Sequence, residues 1–298
     1  MNIQTALKND RTCKSLTGLS ISEFNCLLPD FKFNLVEFYQ THLGIRIRKL
    51  GGGRKGKLPT VEDRLFTILL YLKDYPTFDV LGFIIGTDRT RAFRWVKLLL
   101  PVIKKTLSRK IVLPKRQINS IEEWLKIHPE LKDIMVDGME RRVNKPKKIK
   151  TRNKLYSGKK KSTTRKTIVV TDDKRRILIL TKTKSGRRHD KKLTDKNQFI
   201  SSIPPNVAIW TDTGFQGLQK QHQNLVMPKK ATKNNPLTDE EKQNNKLISS
   251  IRVQVEHVIS GIKRYRSVAD IYRNHLPNLD DQFTLISCGL WNYHLSFS

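Results

Sequence analysis

Apolar positions fall into two regimes along the chain, a helical spacing towards both ends and short β-branched runs between them. Phe24, Leu27, Leu28, Phe31, Phe33, Leu35, Val36, Phe38 and Tyr39 predict one or two short helices near the N-terminus. Gly51-Gly52-Gly53-Arg54-Lys55-Gly56-Lys57-Leu58-Pro59 cannot continue a helix. It reads as a flexible basic linker, or an arm lying along a phosphate backbone. Thr60-Val61-Glu62-Asp63 then marks a helix start, because Thr can cap exposed amides and acids suit the positive end of the helix dipole. Leu65, Ile68, Leu69 and Leu72 recur at three and four, until Pro76. A short helix is expected from Phe78 to Ile85, followed by a turn at Gly86 and a cap at Thr87 or Asp88. The next helix carries Arg89, Arg91, Arg94 and Lys97 outward, with Ala92, Phe93, Val96 and Leu99 inward. Helix, glycine turn and arginine-led helix form the pattern of a helix-turn-helix, whose second helix enters the major groove. An ordinary three-helix bundle with a solvated basic face has the same spacing.

From Pro129 the pattern changes. Ile134-Met135-Val136 is a short strand ending in Asp137, and Thr167 to Thr171 and Ile177 to Leu180 read as a hairpin about the turn Asp172-Asp173-Lys174. Asn206 to Thr211 is a further strand ending in Asp212-Thr213-Gly214, and Leu225 to Met227 a short one. A long helix is expected from about Thr238 to Arg264 and a last one from Phe283 to Leu295. Strands with helices packed on them make an α/β domain. The expected division is a helical segment and linker over 1–58, a helix-turn-helix domain over 59–128 and an α/β catalytic domain over 129–298.

Composition narrows the function. Lys and Arg number 58 against 27 acids, a formal charge of +31. An excess of this size implies a polyanionic partner, and nucleic acid is the first candidate. A basic scaffold protein of the ribosomal kind has a similar balance. Cys13, Cys26 and Cys288 lie far apart without a CxxC pair or Cys/His cluster, which excludes a disulfide framework and a zinc site and suits a reducing cytoplasm. No signal peptide follows Met1, and no apolar run approaches the ~20 residues of a membrane span, so no membrane partner is expected.

Three acids stand out by context. Asp137 and Asp212 each end a strand beside a glycine, where α/β sheets place ligand groups. Glu256 borders the apolar face Val255, Val258, Ile259 and Ile262 of the long helix, and an acid there needs a partner. Hydrolysis of a phosphodiester must activate water and neutralise charge, which two hard cations about 3.5–4 Å apart can do. Magnesium prefers oxygen ligands, so a few carboxylates suffice. Singly, each acid also has an ordinary reading: Asp137 as a turn cap, Asp212 as a loop residue, Glu256 as the partner of Arg252 one turn earlier. The stretch Arg141 to Lys166 holds 13 Lys or Arg in 26 residues and no acid; such a block usually stays mobile without a partner, and beside Asp137 it reads as a DNA-gripping segment. Trp210, Trp291, Tyr293 and Phe297 read as core residues rather than base-stacking groups.

Ordered motifs tie these acids together. Val136-Asp137-Gly138-Met139-Glu140-Arg141 resembles the Asp-Gly-Thr-Glu-Arg segment of the bacterial insertion-sequence-five transposases and their eukaryotic Harbinger relatives. Tyr156-Ser157-Gly158-Lys159-Lys160-Lys161 is similar to their Tyr-Ser-Gly-Lys-Lys-Lys, and Gly186-Arg187-Arg188-His189-Asp190 to their Gly-x-x-His-Asp. Thr211-Asp212-Thr213-Gly214-Phe215-Gln216-Gly217 resembles their Asp-x-Gly-Tyr-x-Gly. Arg252, Glu256 and Lys263 fit their Arg-x3-Glu-x6-Lys signature. Met139 stands in place of the family's Thr, Phe215 in place of Tyr, and Ser249 where relatives often carry Tyr. Ser162-Thr163-Thr164 follows Lys161, where many relatives have a basic residue, His and Thr.

The resemblance implies an RNase H-like fold of the DDE superfamily, with Asp137, Asp212 and Glu256 as a metal-holding triad for Mg²⁺ or Mn²⁺, two ions in all. It implies cut-and-paste transposition: binding of terminal inverted repeats, cleavage, and transfer of the 3′ ends to target DNA. Arg89, Arg91, Arg94, Lys159, Lys160, Lys161, Arg252 and Lys263 are the expected DNA contacts. His189 and Asp190 either support the metal site or shape the loop beside it. Holding two DNA ends together calls for a dimer or larger assembly, acting in the cytoplasm on the nucleoid. Two rivals predict different assays: a retired DNA-binding regulator, and a nuclease of the same fold without strand transfer.

Overall fold

The computed structural model describes residues 3–42, 56–118, 120–232 and 236–297. Residues 51–55 of the glycine-rich stretch therefore lie outside the described residues. In chain order the elements begin with α1 (Ile3–Ala6), α2 (Asp10–Thr17), α3 (Ile21–His42), α4 (Val61–Asp74), α5 (Phe78–Ile85), α6 (Arg89–Arg109) and α7 (Ile121–Ile127). Then follow β1 (Asp133–Arg142), α8 (Ile149–Leu155), β2 (Tyr156–Ser157), β3 (Ser162–Asp172), β4 (Ile177–Leu180), β5 (Lys184–Ser185), α9 (Asp190–Asn197), β6 (Ala208–Trp210) and β7 (Leu225–Val226). The chain closes with α10 (Asp239–Lys263), α11 (Arg266–Ala269) and α12 (Leu279–Leu295).

Backbone contacts divide the chain into two units. One comprises Met1–Leu113, Lys263–Asp270 and Gln282–Ser298, the other Pro114–Ile262 and Ile271–Asp281. Most of α12 thus counts with the N-terminal helices, because its ring Phe283 packs against Tyr71 and Tyr75 of that unit.

The helical unit follows its sequence signals closely. Where one or two short helices are expected near the N-terminus, a single long α3 runs straight through Pro29. Phe24, Leu27, Phe31 and Leu35 are all buried at helical spacing, so one continuous apolar stripe holds it. Thr60 and Asp63 form a reciprocal capping box at the start of α4, with Asp63 N donating to Thr60 Oγ1 at 3.0 Å. Gly86 closes α5 in the left-handed region (φ 70°), and Asp88 caps α6 by accepting from Arg91 N at 3.0 Å. Ala92, Val96 and Leu99 are buried and Arg89, Arg91 and Arg94 exposed, as the helix-turn-helix pattern requires.

The second unit is built on a mixed sheet. β1 and β3 pair antiparallel from Ile134↔Asp172 to Arg142↔Thr164, and β2, β4 and β5 each pair with a different stretch of β3. On the other side of β1, β6 and then β7 run parallel to it. An antiparallel set followed by two parallel strands across β1 is the RNase H-like arrangement. Ile134, Val136, Ile168, Val170 and Ile209 form its dry core with Trp124, Phe199 and Phe215.

Two local expectations change. β1 does not stop at Val136; it carries Asp137 and Gly138 onward to Arg142, because β3 supplies ladder partners along that whole length. What ends before Asp137 is the parallel pairing with β6, whose last partner is Met135↔Trp210. The basic block Arg141 to Lys166 takes up regular structure: it closes β1, forms α8 and β2, and opens β3. Pairing with β3 and burial of Arg141, Thr163 and Lys166 offset its self-repulsion. Of the aromatics, Tyr293 is buried, Trp210 and Trp291 are half-buried, and Phe297 is exposed. Among the described residues no helix is long and apolar enough to cross a membrane.

Candidate active site

β1 and β6 leave their parallel pairing side by side, and each then presents an aspartate. Asp137 Oδ1 accepts from Gly138 N at 2.7 Å, and Asp212, just past β6, accepts from Gly214 N at 2.8 Å. Both side chains are half-buried. Burial pushes the Asp137 carboxyl above its ordinary value; the Asp212 carboxylate adds to the rise, while Gly138 N–H, Arg252 and Lys159 oppose it. The two aspartates therefore feel each other, with cations on either side. Lys159 Nζ is 3.8 Å from Asp212 Oδ2. Arg252 of α10 has its Nε buried and without a hydrogen-bond partner among the described residues.

Asp212, Lys159, His189, Asp190 and Lys166 line one cleft of about 730 Å³ with Arg187 and Arg188. His189 is exposed and stands at the N-cap position of α9 without capping it. Lys160 and Lys161 complete the turn that carries Lys159, and both are exposed. Glu256 is exposed on α10. Among the described residues no group of three His, Cys, Asp or Glu is placed to hold a metal. Lys263, exposed, ends α10 and belongs to the other unit.

A second cluster reaches the cleft wall through Lys166 and Asp190. Lys166 Nζ is 2.9 Å from Asp190 Oδ1 and 3.0 Å from Glu140 Oε1, and it donates to Arg188 O at 3.2 Å. Thr164 Oγ1 donates to Glu140 Oε2 at 2.7 Å. Burial works against the Lys166 charge, but the two carboxylates outweigh it and lift its value. Burial likewise opposes the Glu140 charge, yet Thr164 and Lys166 hold that carboxyl below its ordinary value. Sequence reasoning took Glu140 only as part of a motif and Lys166 only as the end of the basic block, and did not link the two. Their link is the cross-strand register Glu140↔Lys166, which no spacing along the chain reveals.

Two aspartates just past the end of a parallel strand pair, beside a basic cleft in an RNase H-like sheet, are a set of groups suited to phosphoryl transfer on nucleic acid. The comparisons give the family. A model described as "DDE superfamily endonuclease" matches residues 136–292, and one described as "Helix-turn-helix of DDE superfamily endonuclease" matches residues 56–109. The chain belongs to the DDE superfamily of endonucleases. It is 27% identical over 288 residues to a protein of Microchaete diplosiphon described as "Probable transposase for insertion sequence element IS702", covering 96% of this chain and 95% of that one. No solved structure matches.

Divalent metal ions are general to this superfamily. Two carboxylates that repel each other, one of them desolvated, are hard oxygen donors whose repulsion a cation relieves, so Asp137 and Asp212 fit such an ion.

Proposed function

We propose that the protein is a cut-and-paste transposase that binds the terminal inverted repeats of its element, cleaves them and joins the 3′ ends to target DNA. The observation that carries this reading is the pairing of Asp137 with Asp212 beside a cleft lined by lysines and arginines. The functional division is 59–128 for repeat binding and 129–298 for catalysis, with 1–58 as a leading segment.

Asp137 and Asp212 would hold two divalent ions, Mg²⁺ or Mn²⁺, with Glu256 as third ligand. Bound there, the ions supply charge neutralisation at the phosphate and lower the pKa of an attacking water. The protein's own groups do the rest. Lys159, beside Asp212, and Arg252, near Asp137, balance phosphate charge, and Lys160, Lys161 and Lys263 extend the contact along the backbone. Arg89, Arg91 and Arg94 project from α6, exposed as a recognition helix needs. Hydrolysis breaks the bond between phosphorus and the 3′ oxygen, and water's oxygen takes its place. The freed 3′-hydroxyl then attacks a phosphodiester of the target and displaces its 3′ oxygen. Two ends joined in one reaction call for a dimer or larger assembly on nucleoid DNA.

The test is cleavage of DNA carrying the element's ends with Mg²⁺ or Mn²⁺. Wild type cuts and joins; Asp137→Asn, Asp212→Asn and Glu256→Gln do not. Cleavage by all three at the wild-type rate overturns the triad, and cutting without joining makes the protein a nuclease only. One observation favours a second reading, a retired copy that binds DNA without cutting: among the described residues no group of three His, Cys, Asp or Glu is placed to hold a metal. Repeat binding with no metal-dependent cleavage by wild type would establish it.

A further inference from the structure

We propose that a second cleft, sharing a wall with the catalytic one, holds a neighbouring nucleotide of the strand being cut. Its phosphate lies among Lys145, Arg152 and Lys161, and its base against Tyr156. The inference rests on the DNA-cleaving function proposed above and adds a site to it.

The second cleft has a volume of about 500 Å³. Lys145, Arg152, Lys161 and Ser162 line it, and none of its lining residues is acidic. Asn153 and Tyr156 line both clefts, so they form the common wall. The β2–β3 hairpin explains the arrangement. Tyr156 pairs with Thr163 and Ser157 with Ser162, which leaves Gly158 to Lys161 as the connecting turn. Lys159 of that turn lines the catalytic cleft, 3.8 Å from Asp212 Oδ2. Lys161, two positions on and in the left-handed region (φ 49°), lines the second cleft. One turn thus hands a cation to each cleft, and a strand crossing the hairpin meets both.

The second cleft offers what a nucleotide needs. Arg152 is oriented by long donations from Nε to Pro146 O at 3.4 Å and from Nη2 to Lys147 O at 3.5 Å. A guanidinium held this way suits a phosphate better than a freely swinging ammonium does. Tyr156 is 43% exposed, an open ring next to three cations. Cations along the backbone with an aromatic face for the base are the common means of holding a single strand.

The experiment uses the full chain and DNA carrying the cleavage site. Each phosphate near the cut is replaced, one at a time, by a neutral methylphosphonate. In wild type one or two positions beside the cut slow cleavage. In Lys145→Gln/Arg152→Gln/Lys161→Gln that extra penalty vanishes, because its partner is already gone. The slope of log affinity against log salt falls by about 0.9 for each cation removed on duplex DNA, or about 0.7 on a single strand. Tyr156→Leu weakens binding by roughly tenfold, Tyr156→Phe restores it, and an abasic site at the matching position removes the difference. Full positional penalties in the triple variant, or an unchanged salt slope, overturn the proposal. So does inhibition by inorganic phosphate with no positional effect, which makes the cleft a free-anion site. If wild type does not cut, the reading above fails, while the salt slope still tests the cleft.

Discussion

Lys166 Nζ lies 2.9 Å from Asp190 Oδ1, and the two side chains are only 6 and 10% exposed. Asp190 in turn fills the space over the glycines that follow Asp137 and Asp212. A Cβ on Gly138 would stand 2.7 Å from Asp190 Oδ1, and one on Gly214 3.3 Å from Asp190 Oδ2. The ion pair therefore fixes a carboxylate that packs against both aspartate-bearing segments. Lys166 and Asp190 line the cleft beside Asp212, and their expected part is to position the two aspartate-bearing segments.

Lys166→Met should cost about 3–5 kcal/mol of stability, since it leaves Glu140 and Asp190 as buried like charges without their cation. Urea denaturation measures this. Glu140→Gln made in the Lys166→Met background should recover part of the loss, because the two residues are register partners and their effects are not additive. Simple additivity would show that the pair is not coupled.

Gly138→Ala should lower cleavage by roughly ten- to a hundredfold, the range for residues that orient the groups at a metal site. The added methyl group meets a carboxylate that Lys166 prevents from moving aside. The backbone is not the obstacle, since Gly138 lies in a regular ladder opposite Ile168. Steady-state cleavage at matched DNA occupancy gives the number, and a wild-type rate would mean that Asp190 yields freely.

How much of this was legible in the sequence depends on the kind of signal. Caps and stripes are local, so Thr60, Asp88 and the buried faces of α4 and α6 could be read off directly. Asp137 and Asp212 were legible as acids beside glycines, and their motifs as a family resemblance. That β1 continues through Asp137 was not legible, because its partner strand lies some thirty residues away and only the register reveals it. The Lys166 cluster was hidden for the same reason, its members being scattered over positions 140, 164, 166 and 190. In the basic block, composition suggested mobility in the absence of a partner, whereas ladder pairing and burial give it regular structure.

Glu140 should also contribute to acid stability. Its carboxyl is held below its ordinary value of 4.5 in the folded chain. A depressed acid contributes stability that is present above the unfolded value and lost as pH falls through the folded one. Thermal unfolding should therefore steepen its decline as pH drops from about 5 towards the folded value. Glu140→Gln should be less stable at neutral pH and show a flatter acid limb. Parallel curves for the two proteins would remove Glu140 from the acid response.

In the helix-turn-helix, Arg89, Arg91 and Arg94 are exposed, and the ion pairs of the first two, at 3.9 Å to Asp79 and 3.5 Å to Asp88, are solvent-facing. Such pairs contribute little to stability. Changing all three to Gln should leave the melting temperature nearly unchanged and weaken binding to the element's ends. The salt slope should fall by roughly one for each arginine that contacts a phosphate. Fluorescence anisotropy across a salt series reads both quantities, and unchanged binding would move recognition off α6.

Glu256 separates catalysis from folding. Its side chain is exposed on α10, and Val255, Val258, Ile259 and Ile262 bury the apolar face without it. Surface substitutions of this kind usually change stability by no more than about 0.5 kcal/mol. If Glu256 is the third metal ligand, Glu256→Gln loses several kcal/mol of transition-state stabilisation, about a thousandfold in rate. Expected together are a normal unfolding curve, normal DNA binding and almost no cleavage. Lys166→Met differs in losing stability as well, because its charges are buried. Arg252, one turn before Glu256, already places a cation near Asp137. Arg252→Gln should therefore weaken DNA binding while retaining measurable metal-dependent cleavage at saturating DNA. A Glu256→Gln protein that cuts at the wild-type rate would assign α10 to phosphate contact alone and leave the chemistry to Asp137 and Asp212.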